Sequence, residues 1–264
     1  MKPKNGSVYL YAITTLKAVP ELSMLPGITD TSGTAGVLQT MAESSVAAVF
    51  SHFNGEKVRP ERKNLAAHQN VLRSLMKAKA DFLPAAFGVV APSRDELTEL
   101  LRSNQQTLKH DLQRVAGKIE MGLKVEWDVP NIFEFFVFRN PELAQLRNRL
   151  MTKPGGCTHE EKIEIGQTFE AILNETRERH LATVKRVISA CAADLQADPP
   201  RDEKMVMNLA CLIRHEHEKK FEEAVFKAAA LFDDNYSLDY NGPWPPYHFV
   251  RASLGEPQTK VLSA

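Results

Sequence analysis

The chain opens with an unbroken β-branched and aromatic run, Val8-Tyr9-Leu10-Tyr11-Ala12-Ile13, which predicts a strand. Residues 20–36 are rich in Pro, Gly, Ser and Thr and predict a loop. Residues 36–41 and 45–53 read as two further strands, and Asn54-Gly55 turns the chain after the second. The period changes beyond Pro60. Leu65, His68, Leu72, Leu75, Met76 and Lys79 recur three or four apart, predicting a helix with one stripe against a core. Residues 82–90 read as a buried strand. Ser93 with Glu96 three positions on is a helix start, because the hydroxyl accepts from the third amide while the carboxylate reaches back. Leu97, Leu101, Leu108, Leu112 and Val115 continue that stripe, and Gly117 is its stop.

Residues 119–127 alternate imperfectly and run up to the Asp128-Val129-Pro130 break, predicting a strand that opens a second domain. A short helix over 131–138 is interrupted before Pro141, which has no amide for an interior turn, and resumes over 141–151. Pro154-Gly155-Gly156 breaks the chain. Residues 160–197 then contain no proline and carry apolar side chains at Ile165, Phe169, Ile172, Val184, Val187, Cys191 and Leu195. They predict one helix about 55 Å long, enough to project beyond a small sheet. Asp198-Pro199-Pro200 ends it. Residues 205–213 are apolar on both faces, as in a central strand. Phe221, Ala224, Val225, Ala228, Leu231 and Phe232 form a last helical stripe before a short strand over 236–240. The pattern predicts an α+β fold of two α+β domains: an N-terminal one over 1–118, a C-terminal one over 119–250, and a tail over 251–264. The second, with its long helical excursion, is compatible with an elaborated ferredoxin-like unit.

Charge narrows the partners. Thirty-three basic residues balance 33 acidic ones, so counterion release has no global source and nucleic acid is not an expected partner. Apolar stretches such as 83–92 contain Pro or Gly and fall short of the roughly 18 residues a membrane span needs, so no lipid membrane is expected. Lys2 and Lys4 precede only a six-residue apolar run, too little for a secretory signal. Cys157, Cys191 and Cys211 are far apart, which suits a reducing compartment and offers no disulfide framework or CxxC metal pair.

Motifs for chemistry are missing. The chain has no GxGxxG, GxxxxGK[ST] or GxSxG. In His215-Glu216-His217-Glu218 the histidines are two apart, whereas two ligands on one helix face need a spacing of four; a solvated helix start is expected. His68 lies on an apolar stripe and is expected to be a hydrogen-bonded core residue. Glu175, Arg177, Glu178 and Arg179 read as an exposed face with intrahelical pairs. Phe133, Phe135, Phe136 and Phe138 crowd six residues, so at least one must leave a single core face, and the cluster is expected to seal the domain interface. No catalytic residue, cofactor site or metal ligand emerges, and no partner-binding residue is located.

The most distinctive segment runs Tyr240-Asn241-Gly242-Pro243-Trp244-Pro245-Pro246-Tyr247-His248-Phe249-Val250. Three prolines stiffen it and its aromatics are large anchors, so it is expected to clasp its own chain with Trp244 largely buried. Gly242, Pro243, Trp244, Pro245, Pro246, Tyr247 and Phe249 resemble the terminal GPWPPYxFV signature of the gas vesicle protein F/L family. Val8 to Ile13 resembles its opening strand, His68 its helix histidine, and Phe82-Leu83-Pro84-Ala85-Ala86-Phe87-Gly88 its LPxxFG block. Ala85-Ala86 stand where many members carry bulkier or basic residues. Asn131 to Val137 and Met205 to Ile213 also resemble family blocks, in the family's order.

The resemblance, nearer the F than the L type, implies an accessory protein of gas vesicle assembly and a minor vesicle component. It implies two α+β domains, the second a modified ferredoxin-like fold with long helical extensions. It also implies binding to the small hydrophobic shell protein of the GvpA type, limiting its aggregation during nucleation, with other vesicle accessory proteins as further partners. The expected location is the gas vesicle inside a prokaryotic cell, with no enzymatic activity and no cofactor. A ferredoxin-like enzyme or small-ligand domain is the competing class, since that fold hosts many activities.

Overall fold

The computed structural model describes residues 6–16 and 26–252. The first five residues, positions 20–25 of the predicted loop and most of the predicted tail lie outside the described residues. Contacts divide the chain into two units: Met1–Glu120 together with the segment from Pro243 onward, and Met121–Gly242. The terminal segment differs: from Pro243 it groups with the N-terminal unit, whereas the sequence assigned 119–250 to one domain.

In the first unit β1 (Val8–Thr15), β2 (Pro26–Thr29), β3 (Ala35–Glu43), β4 (Val46–His52) and β5 (Phe82–Pro84) form a sheet ordered β2-β3-β4-β1-β5, and β6 (Val90–Ala91) also pairs with β1. The pairings of β1 with β4, β5 and β6 are antiparallel. A register shift between Leu10 and Ala12 marks a bulge at Tyr11. The bulge breaks strict alternation, so Tyr9, Tyr11 and Ala12 share one apolar cluster with Val71, Leu72 and Leu75 of α1 (Arg62–Lys77). Val8, Leu10 and Ile13 lie outside that cluster and are equally buried. Both faces of β1 are therefore covered, which is why its sequence is a continuous apolar run. Against this sheet also pack α2 (Arg94–Ser103) and α3 (Gln105–Val115).

Several expectations are corrected here. Positions 26–29 are strand β2, not loop. The buried stripe of α1 is Asn64, His68, Val71, Leu72 and Leu75; Leu65 is exposed, and Lys79 lies beyond the helix end with φ 51°. The single strand predicted over 82–90 is two short ones, β5 and β6, separated by a turn that contains Gly88 at φ 97°. Ser93 does cap α2, accepting from the Glu96 amide at 3.1 Å.

The second unit has the succession strand, helices, strand, strand, helix, strand. Its strands are β7 (Lys118–Trp127), β8 (Ala192–Asp198), β9 (Met205–Arg214) and β10 (Tyr236–Trp244), arranged β10-β7-β9-β8. The helices are α4 (Ile132–Arg139), α5 (Pro141–Met151), α6 (His159–Ile188) and α7 (Glu218–Ala229). Asn131 caps α4 and Asn140 caps α5, with Pro141 in the first turn where its missing amide costs nothing. Thr158 and Glu161 form a reciprocal capping box on α6.

The long helix is shorter than predicted. It spans 30 residues, about 45 Å at 1.5 Å per residue, and positions 192–198 form β8 instead. Cys191 and Leu195 continue a helical spacing, but Leu195 lies opposite Cys211 in an antiparallel ladder with β9. Pairing with an apolar central strand outweighs the weak strand preference of an Ala- and Asp-rich edge segment.

Candidate functional site

Two polar networks organise the first unit. In one, the Gly88 amide donates to the Tyr9 hydroxyl at 3.1 Å, and that hydroxyl lies 2.9 Å from His68 Nδ1. His68 is buried, stacks on Tyr11 and meets the edges of Tyr9 and Phe87. Burial pushes its pKa down to about 4, so the ring is neutral near pH 7. Its Nε2 is buried and points toward the Ala85 backbone without a well-formed hydrogen bond. Tyr11 continues the network: its hydroxyl lies 3.0 Å from Ser51 Oγ and accepts from the Ile28 amide at 2.8 Å. Opening strand, helix histidine and LPxxFG block are thus wired together by one set of bonds. The arrangement fixes β1, β2, α1 and the turn after β5 but offers no solvent-accessible nucleophile.

The second network seats the terminal signature. Pro245, Pro246 and Phe249 are buried, whereas Gly242 and Pro243 are exposed and Trp244 is 43% exposed. That corrects the expectation of a largely buried Trp244: β10 carries it to the strand's end, and the burial shifts to the prolines and Phe249 that follow. The 3-10 turn Tyr247–Phe249 packs against α3. Glu120 accepts from the His248 amide at 3.0 Å and from its Nδ1 at 2.6 Å. Asp111 Oδ2 accepts from the amides of Arg251 and Ala252 at 2.7 and 3.0 Å. The Arg114 guanidinium sits over the Phe249 ring at 5.4 Å and donates to the Phe249 carbonyl at 3.3 Å. Tyr247 hydrogen-bonds Gln69, and burial pushes its phenol up to about 12.

The signature was legible in sequence, but its two anchors were not. Asp111 sits inside the Leu108, Leu112, Val115 stripe and Glu120 between Ile119 and Met121. A carboxylate at a core phase of an apolar pattern is the signal that would have found them, since a charge goes there only with partners.

In the second unit Phe136 is buried against Trp127, while Phe133 and Phe136 both meet Phe169 of α6. Phe135 carries the Arg139 guanidinium 3.9 Å from its ring, and Phe138 is 91% exposed. The cluster expected at a domain interface therefore packs inside its own unit and presents one side chain to solvent. Arg177 also departs from a purely solvated face. It donates to the carbonyls of Met205, Asp202 and Glu203 and lies over the Trp127 ring, holding the loop between β8 and β9.

His215 and His217 fall in a 3-10 turn before α7. Among the described residues no group of three or more His, Cys, Asp or Glu side chains is placed to hold a metal ion. A cavity of about 240 Å³ beside the start of α1 is lined by Lys57, Arg59 and Lys63 together with Asp30 and Glu61. Mixed signs, with Lys63 and Glu61 paired at 3.3 Å, give it no selective charge. No helix among the described residues is long and apolar enough to cross a membrane.

This architecture has close structural counterparts. The crystal structure of the gas vesicle protein GvpF from Anabaena sp. PCC7120 matches with a TM-score of 0.78 at 26% identity, covering 94% of this chain and 100% of that one. The crystal structure of GvpF from Microcystis aeruginosa matches with a TM-score of 0.78 at 26% identity, covering 93% and 99%. By class, then, the fold is that of a gas vesicle protein. The sequence is 27% identical over 251 residues to gas vesicle protein F of Nostoc sp. (strain PCC 7120 / SAG 25.82 / UTEX 2576), covering 94% of this chain and 100% of that protein. Residues 7–251 match the family described as gas vesicle synthesis protein GvpL/GvpF, and the chain belongs to it. Membership gives it a role in gas vesicle formation and an association with the vesicle.

Proposed function

We propose that this chain binds the small hydrophobic gas vesicle shell protein, of the GvpA type, stoichiometrically and limits its aggregation during nucleation. Other vesicle accessory proteins are its further partners, and it works without turnover or cofactor. The family match over residues 7–251 carries this reading. Support comes from the apolar side chains left in solvent, Phe138, Met151, Phe226, Leu231 and Trp244, which supply contact area to a subunit whose own apolar surface must stay covered until assembly.

Holding a subunit needs affinity rather than a catalytic cycle. In light scattering, protection of the shell protein saturates near a fixed ratio and is indifferent to ATP; on co-expression the two proteins co-purify and shell solubility rises. Protection at strongly substoichiometric amounts, or only with nucleotide, would point to a remodelling enzyme. No protection and no co-purification would end the shell-binding reading.

A further inference from the structure

The terminal segment is attached in an unusual way. All six amides from Tyr247 to Ala252 have acceptors, and each acceptor is either inside the segment or a carboxylate side chain. Tyr247 bonds to the Pro245 carbonyl at 2.7 Å, Phe249 to that of Pro246 at 3.2 Å, and Val250 to that of Tyr247 at 3.5 Å. His248 bonds to Glu120, and Arg251 and Ala252 to Asp111. None of these amides joins a sheet ladder or an α-helix; the Val250 bond closes the segment's own 3-10 turn. Leaving the surface therefore breaks side-chain anchors and spares the backbone hydrogen bonds of β1, β4 and α3.

Two carboxylates concentrate the anchoring of the amides. Asp111 and Glu120 are both buried carboxylates, and charge-assisted bonds from amides to carboxylates are about twice as strong as neutral ones. Further attachments include Arg114 at the Phe249 ring and carbonyl, Gln69 at Tyr247, and the burial of Pro245, Pro246, Phe249 and Ala252. Upstream, Gly242 takes φ 123°, a conformation side-chain-bearing residues rarely adopt, and both it and Pro243 are exposed. A short segment with its own internal bonds, held to the unit by side chains and preceded by an exposed glycine, can open as one cooperative piece without breaking a sheet ladder.

We propose that residues 245–252 are a releasable strap: an internal ligand of the N-terminal unit, latched by Asp111 and Glu120, that opens as one piece while the rest of the fold stays intact. Opening uncovers two apolar surfaces at once, the seat beneath Tyr247 and Phe249 and the aromatic, proline-rich face of the strap itself. Closing hides both. The strap thereby regulates how much sticky surface the protein shows, and this holds whether or not the shell protein is its partner.

Amide hydrogen exchange on the full-length protein tests it. In the unaltered chain the amides of residues 247–252 exchange as a group at least tenfold faster than those of β1 and β4. Glu120→Gln, and separately Asp111→Asn, accelerate that group a further tenfold or more and leave β1, β4 and α6 unchanged. Strap amides that exchange at the same rate as β1 and β4 in the unaltered chain overturn the proposal, because the strap then opens only on global unfolding; this arm needs no variant to fold. Fast strap exchange that neither variant changes overturns the assigned latch.

Discussion

His68 Nδ1 and the Tyr9 hydroxyl lie 2.9 Å apart, and the direction of that bond sets the histidine's tautomer. The Gly88 amide also donates to the hydroxyl, which leaves it one lone pair and one proton for His68: with Nδ1 accepting, the imidazole proton sits on Nε2, and with Nδ1 donating, Nε2 is bare. Burial is the physical origin of the depressed pKa, because it strips water from the charged ring.

The pH dependence of stability follows in sign. His68 has its pKa lowered from 6.5 to about 4 on folding, so between those values the unfolded chain holds more protons than the folded one. Stability from this residue is full above about pH 6.5, falls as pH drops, and levels off below about pH 4; the total is about 3 kcal/mol. Urea denaturation at pH 7, 5.5 and 4.5 is expected to show this loss in the parent protein. His68→Gln, less stable at pH 7, is expected to lose less over the same range, and an equal loss would remove His68 as the cause.

Trp244 and Phe249 are expected to behave oppositely on truncation. Phe249→Ala opens a cavity at a buried aromatic and is expected to cost about 3–5 kcal/mol. Trp244→Ala, at a site 43% exposed, is expected to cost clearly less, on the order of 1 kcal/mol. Thermal melts of the two variants decide it.

Phe136 and Phe138 give the same contrast within one helix. Phe136→Ala removes a ring packed on Trp127 and Phe169 and is expected to lose about 3–5 kcal/mol. Phe138→Ser is expected to stay within about 0.5 kcal/mol of the parent, because the residue is exposed. Comparable losses in both would mean that α4 is rotated from this orientation.

Where the sequence could be read, one local rule sufficed. Ser93 and the Pro141 break are decided by hydrogen bonds within a turn, and the apolar runs of β1 and β9 by burial on two faces. Where reading failed, the deciding partner was distant. β8 is a strand because β9 lies beside it, and α1 is phased so that Asn64, not Leu65, faces inward, its side chain accepting from the Thr29 amide at 2.9 Å. Trp244 followed the habit of its residue type toward burial, yet strand β10 ends there and the prolines take the buried places. Asp111 and Glu120 could not be assigned without the segment they hold, which lies more than 120 residues away in sequence.

Two glycine substitutions of the same kind are expected to have opposite signs. A Cβ at Gly36 would lie 2.7 Å from the His52 carbonyl oxygen and 2.8 Å from Ser51 Oγ. Both belong to β4, which lies between β3 and β1 and cannot retreat without disturbing Tyr11, whose hydroxyl contacts Ser51 and accepts from Ile28. Gly36→Ala is therefore expected to destabilise by about 1–3 kcal/mol through overpacking. Gly166, on the exposed face of α6, has nothing within 4 Å of a built Cβ and no unusual φ. There alanine only restricts the unfolded chain and improves helix propensity, so Gly166→Ala is expected to stabilise by about 0.5–1 kcal/mol. Urea midpoints moving in opposite directions are the expected result; a Gly36→Ala protein as stable as the parent would mean that β3 and β4 are not held as closely as this register requires.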